Sequence, residues 1–321
     1  MAEAGVDRDL PRLLLVLRLA GRQGFADLPA RRRGFQTFID RLPAPPPCRV
    51  ASVELGGVPA ERVEPAAGLP ASAPTILYLH GGGYCLGSPA THRALAARLA
   101  HHAGAAVVLP DYRLAPEHPF PAAFEDALVA WEALAGTADP ARLALGGDSA
   151  GGGLALAVAS SAARRAATLP AALFVLSPWT DLGSTASSID GRAGRDPLVD
   201  RASLEGMAAL YLQGSDARDP RASPLYGELA GLPPTLVQVG EAECLYDDAA
   251  LVARALAAAG VAVSFEPWPD LVHVWPLYAG ILDAGERALA RVAEFVRRHV
   301  EVRPTEEGRS PPYAGGHALA R

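Results

Sequence analysis

Short apolar runs alternate along the chain with longer segments whose apolar positions recur at helical spacing. The runs "RVASVEL" at 49–55, "TILYLH" at 75–80, "AAVVLP" at 105–110, "RLALGG" at 142–147, "ALFVLS" at 172–177, "TLVQVG" at 235–240 and "VAVSFEPW" at 261–268 predict strands. Between and after them the spacing predicts helices near 91–102, 121–134, 150–164, 247–259 and 277–299. Most of these strands are apolar at consecutive positions, so both faces are buried. Strands of that kind separated by helices imply an α/β fold with a mostly parallel sheet, in which ligands bind beyond the carboxyl ends of the strands.

The alternation fails in two places, and these divide the chain. Residues 1–45 are helical or irregular and end in "PAPPP", which suits an amino-terminal cap segment. Residues 182–224 place loop and short helix where a strand is due, as a cap or lid insertion would. The core is then expected in two parts, 46–181 and 225–301, with a disordered tail at 302–321 that is rich in proline and glycine.

Composition narrows the chemistry. The chain has 321 residues, half of them hydrophobic, enough for one large core. All 29 basic side chains are arginine, so a Walker phosphate loop, a Schiff-base lysine and a Ser-Lys dyad are excluded. A net charge of −6 without a basic run argues against a nucleic-acid or anionic-membrane surface. Cys48, Cys85 and Cys244 are an odd, scattered set with no metal-ligand spacing. The run "LPRLLLVLRLAG" at 10–21 is too short for a membrane span and is interrupted by Arg12 and Arg18, so a soluble cytoplasmic protein without metal or organic cofactor is expected.

Five glycines within eight positions surround Ser149 in "LALGGDSAGGGLALAVAS". A plain strand-to-helix turn would explain them. So would a nucleophile elbow, Gly147-Asp148-Ser149-Ala150-Gly151, which lifts a serine hydroxyl above the sheet edge at a helix amino terminus. In the second reading Gly147 and Gly151 permit the turn, Gly152 and Gly153 allow close helix packing, and Gly146 has no assigned role. "HGGG" at 80–83 follows a predicted strand and offers the amides of Gly82 and Gly83, with that of Ala150, to a developing oxyanion. His80 suits a brace for this loop better than a base.

The base is expected late, on a loop after the last strand, and "EPWPDLVHVWP" supplies His273 there. "GEAECLYDDAAL" offers Glu241, Glu243, Asp247 and Asp248 for the acid. The two aspartates also serve as amino-terminal helix charges, whereas Glu243 lies in the loop. Glu243 is therefore favoured, with Asp247 as its rival. Tyr84, Trp179, Tyr211 and Trp275 are candidates for the substrate pocket.

"HGGG" ahead of "GDSAGGGLA", with "PDYRLAPEHPFPAAFED" between and "GLPPTLVQVG" and "VHVW" after, resembles the hormone-sensitive lipase family of α/β-hydrolase carboxylesterases over about 74–300. The resemblance implies an eight-stranded, mostly parallel sheet flanked by helices, a helical cap, and hydrolysis of short- to medium-chain esters. The family nucleophile falls on Ser149, its oxyanion donors on Gly82, Gly83 and Ala150, and its base on His273. Its acid segment, Asp-Pro-Leu-x-Asp-Glu, aligns with "ECLYDD", so glutamate replaces the usual aspartate at Glu243 and Asp247 matches the later aspartate. The implied partner is a small-molecule ester, and the resemblance suggests a homodimer. Amide or lactone hydrolysis by the same residues, or ligand binding without turnover, are the alternatives.

Overall fold

A computed structural model describes residues 7–20 and 27–300; the expected disorder of 302–321 lies outside the described residues. Eight strands form one sheet: β1 (Cys48–Leu55), β2 (Val58–Pro65), β3 (Thr75–Leu79), β4 (Ala106–Pro110), β5 (Leu143–Asp148), β6 (Ala172–Leu176), β7 (Thr235–Gly240) and β8 (Val263–Trp268). Their spatial order is β1-β2-β4-β3-β5-β6-β7-β8. β2 pairs antiparallel with β1 and β4, and every pairing from β4 to β8 is parallel. This is the α/β-hydrolase fold.

Seven strands match the predicted runs, and β2 is the addition. Its sequence, "VPAERVEP", has three charged residues in eight and a proline near each end, as befits a strand outside the apolar centre. The available signal was Gly56-Gly57, whose φ angles of 61° and 92° make the two-residue hairpin that sets Leu55 opposite Val58.

Helices cover both faces. α3 (Pro89–Ala103) and α9 (Asp283–His299) bury Leu95, Leu99, Leu289 and Val292 against Ile76, Tyr78, Val107, Phe174 and Leu236. On the other face α4 (Ala122–Ala135), α5 (Ala150–Arg164) and α8 (Tyr246–Ala258) pack on Leu77, Val108, Leu145, Val175 and Val237. Adjacent residues such as Ile76 and Leu77 thus serve opposite layers, which is why the runs are apolar throughout. The helix expected from 277 begins at Asp283; a 3-10 turn, Trp275–Tyr278, precedes it. The two interrupting regions contribute α1 (Leu10–Ala20) and α2 (Leu28–Ile39), then α6 (Ser188–Gly191) and α7 (Arg201–Leu212).

The glycines around Ser149 are required by contact rather than by dihedral angle. Ser149 itself takes the unusual conformation, φ 53° and ψ −122°, at the junction of β5 and α5. A Cβ on Gly151 would lie 2.1 Å from the Leu79 carbonyl oxygen, and one on Gly147 2.5 Å from the same atom. Gly153 is pressed in the same way against the Trp179 carbonyl. Gly146 also has a role: the ring of Phe174, its partner on β6, covers it so closely that a Cβ would meet three ring atoms at 2.3–2.5 Å. Tyr78 stands beside that ring and limits its retreat. Gly146→Ala is expected to cost about 1–3 kcal/mol by overpacking. Urea unfolding measures this, and an unchanged midpoint would contradict it.

Candidate active site

Three loops at the carboxyl ends of β5, β7 and β8 bring Ser149, Glu243 and His273 together. His273 Nε2 lies 2.9 Å from Ser149 Oγ, and His273 Nδ1 lies 2.6 Å from Glu243 Oε2. The other carboxylate oxygen, Oε1, accepts the Gly240 amide at 2.7 Å, which fixes the acid at the end of its strand. Ser149, His273 and Glu243 are 9%, 7% and 0% exposed. Burial alone would depress the imidazole, but the hydrogen bond and charge of Glu243 outweigh it and hold His273 above its ordinary pKa. With Nδ1–H donated to Glu243, Nε2 is left as the acceptor for the serine proton.

The glycine loop after β3 presents its amides by peptide planarity. The Gly81 carbonyl meets His80 Nδ1 at 2.9 Å, so the Gly82 N–H in the same trans peptide points away from that ring. The Gly82 carbonyl accepts from the amides of Cys85 and Leu86 at 3.1 and 2.8 Å, and this turns the Gly83 N–H the opposite way. Likewise the Ser149 carbonyl accepts from Gly153 and Trp179, directing the Ala150 N–H out of the helix end. His80 is a brace: it stacks on Tyr112 with centroids 4.2 Å apart, and burial pushes its pKa down to about 3.

These groups border a cavity of about 270 Å³. Gly81, Gly82, Gly83, Ser149 and His273 form its floor, while Leu17, Arg31, Phe35 and Phe38 come from α1 and α2, and Leu198, Val199, Leu204 and Met207 from residues 182–224. Both interrupting regions therefore wall the same space. Met207 sits directly on Gly83, where an added Cβ would strike its sulfur.

Residues 76–277 match the family model described as alpha/beta hydrolase fold, a span that contains the glycine loop, Ser149, Glu243 and His273. An acetyl-hydrolase of Streptomyces hygroscopicus is 46% identical over 246 residues, 76% of this chain and 81% of the relative. An ethyl acetate hydrolase of Pseudomonas putida is 37% identical over 233 residues, 70% and 73% of the two chains. The crystal structure of an esterase from the bacterial hormone-sensitive lipase family superposes with a TM-score of 0.88 at 42% identity, covering 91% of this chain and 98% of that one. The chain belongs to the hormone-sensitive lipase family of α/β-hydrolase carboxylesterases. The protein is a carboxylic ester hydrolase.

In this esterase the rival acid, Asp247, does not reach His273. Its Oδ2 accepts Ser187 Oγ at 2.6 Å and the Ser188 amide at 2.9 Å, so it ties α8 to α6. Of the four aromatics expected at the pocket, Trp179 lines it and three do not. Tyr84 and Tyr211 stack on each other at 3.9 Å in the core, and Trp275 packs on Trp268 while donating to the Ala284 carbonyl. Their size earned them a core place, not a surface. The pocket aromatics supplied by α2, Phe35 and Phe38, had no local motif to announce them. Cys85 and Cys244 are buried, which pushes both thiols up to about 12 and keeps them inert at neutral pH.

Asp148, the variable position of the elbow motif, and Asp196 were not foreseen as site residues. Asp148 Oδ1 accepts the Gly81 amide at 3.0 Å and the Tyr78 hydroxyl at 2.9 Å, and Oδ2 faces His92 Nε2 at 3.4 Å. Burial opposes its charge, but His92 and Tyr78 outweigh that and hold the carboxyl below its usual range. It thereby anchors the start of the glycine loop to the elbow. Asp196 opens "DPLVD" at 196–200, a closer literal match to the family's acid segment than "ECLYDD". It lies in the insertion and contacts the His273 backbone, not the ring.

Proposed function

We propose that this esterase hydrolyses short-chain esters of small alcohols through an acyl-enzyme at Ser149. The observation that carries the proposal is the unbroken line of hydrogen bonds from Glu243 through His273 to Ser149 Oγ. In this reading His273 Nε2 takes the serine proton as Oγ attacks the ester carbonyl carbon. The oxyanion forms among the amides of Gly82, Gly83 and Ala150, at the positive end of α5. His273 returns the proton to the leaving alcohol, and a water molecule, deprotonated by the same nitrogen, then releases the acid and restores the serine.

Two facts support a short acyl group. Relatives bear the names acetyl-hydrolase and ethyl acetate hydrolase. The cavity, about 270 Å³, lies just below the usual range of small-ligand sites, about 300 to 1,000 Å³. α1, α2 and residues 182–224 act as the cap that sets its length. A cytoplasmic setting suits the three free cysteines.

Hydrolysis of p-nitrophenyl acetate, butyrate, octanoate and palmitate tests the acyl preference, and peptide mapping after an organophosphonate tests the nucleophile. The expected results are kcat/KM highest at acetate or butyrate and an adduct on Ser149. A maximum at palmitate, or an adduct elsewhere, would refute the respective part.

A further inference from the structure

Asp196 is a buried carboxylate, 4% exposed, that reaches the active site from the 182–224 insertion rather than from the sheet. Its Oδ2 accepts the backbone amide of His273 at 2.8 Å, and its Oδ1 accepts the amide of Leu198 at 2.8 Å. Leu198 and Val199, the next residues but one and two, form part of the cavity wall. The same segment also grips the acid loop, because Cys244 Sγ donates to the Val199 carbonyl at 3.1 Å and Ser188 Oγ to the Cys244 carbonyl at 2.5 Å. One stretch of the insertion thus holds the base loop, the acid loop and the pocket wall in fixed relation.

A neutral acceptor would satisfy two amides as well. Choosing a carboxylate buries a charge, which is unfavourable unless an opposite charge stands near it. The Asp196 oxygens accept from the backbone amides of Leu198 and His273, and the positive charge that acts on the carboxylate is the imidazolium of His273. That cation appears when Ser149 gives up its proton, so the attraction is stronger in the transition state than in the resting enzyme. We propose that Asp196 is a positioning residue for ester hydrolysis: it sets the His273 loop against the cavity wall and supplies a second negative charge to the protonated base. The inference rests on the assignment of His273 as base.

Burial pushes the Asp196 carboxyl up to about 6, in keeping with a charge left uncompensated at rest. The other titratable groups that act on Asp196 or His273 are Glu243 and Cys244 from the loop after β7, Asp148 from the end of β5, and Tyr278 from the turn before α9. A negative neighbour favours the protonated imidazole and raises its pKa. Removing that neighbour lowers it, so neutral His273 persists to lower pH.

The test is the pH dependence of kcat/KM for p-nitrophenyl butyrate in the full-length enzyme. Asp196→Asn is expected to lower kcat about 10–100-fold with a smaller change in KM, and to move the acid limb down by about 0.5–1 pH unit. Asp196→Glu keeps the charge but displaces the acceptor, and is expected to lower kcat with the acid limb near its wild-type position. A folded Asp196→Asn enzyme with wild-type kcat and an unmoved limb would overturn the inference, as would an Asp196→Glu limb displaced as far as that of Asn. Should neither variant fold, the wild-type enzyme still decides: the His273 amide proton must be shifted downfield and slow to exchange, and rapid exchange overturns the contact. If Ser149→Ala and His273→Ala left turnover intact, the assignment of the base itself would fail, a result separate from any outcome at Asp196.

Discussion

Ser149→Ala is expected to lower kcat for p-nitrophenyl butyrate by about 10⁵–10⁶-fold, leaving a slow reaction supported by binding and oxyanion stabilisation alone. The substitution removes one atom, the Oγ that faces His273 Nε2 at 2.9 Å. It spares the backbone bonds that shape the elbow: the Ser149 amide still donates to Leu176, and its carbonyl still accepts from Gly153 and Trp179. Alanine tolerates the positive φ about as poorly as serine, so the strain is unchanged and the melting temperature should stay within a few degrees. Steady-state kinetics with thermal unfolding on the same sample separate loss of chemistry from loss of fold. A folded alanine variant retaining a tenth of wild-type turnover would remove Ser149 from the mechanism.

Glu243→Gln is expected to lower kcat by about 10³–10⁴-fold while Asp247→Asn changes it by about threefold or less. The carboxylate of Glu243 accepts twice, from His273 Nδ1 and from the Gly240 amide. A glutamine has one acceptor oxygen. If it faces Gly240, its NH₂ meets Nδ1 and forces the tautomer whose Nε2 already carries a proton; if it faces His273, its NH₂ opposes the Gly240 N–H. Either way the charge that stabilises the imidazolium is gone. Asp247 instead holds Ser187 and Ser188, so its amide should cost about 1 kcal/mol of stability and little chemistry. Kinetics of the two purified, folded variants measure the ranking, and the reverse order would transfer the role to Asp247.

The legibility of this site followed the range of its interactions. The elbow and the glycine loop are readable because their geometry is made within a few residues: consecutive glycines, a strand before, a helix after. The helix predicted at 150–164 coincides with α5, since Ser149 and the end of its apolar run bound it. Chain order and loop position point to His273 and Glu243, and the structure sets both in line with Ser149. Gly146 resisted explanation because its reason, the ring of Phe174, lies on the neighbouring strand. Tyr84, Tyr211 and Trp275 were misplaced for a related cause: a large aromatic in an apolar stretch reads the same whether it faces a cavity or a core.

By itself the sequence determined the mostly parallel sheet and the places of Ser149, Glu243 and His273 on loops at the ends of its strands, because hydrophobic periodicity and glycine spacing report local backbone geometry directly. Only the tertiary structure decided which carboxylates meet His273. Glu243 reaches its ring and Asp196 its backbone, although the string "DPLVD" around Asp196 carries the more familiar letters. The physical reason is distance along the chain. Asp196 and His273 are joined by folding the 182–224 insertion over the sheet edge, and a hydrogen bond spanning 77 residues leaves no trace in the spacing of either segment.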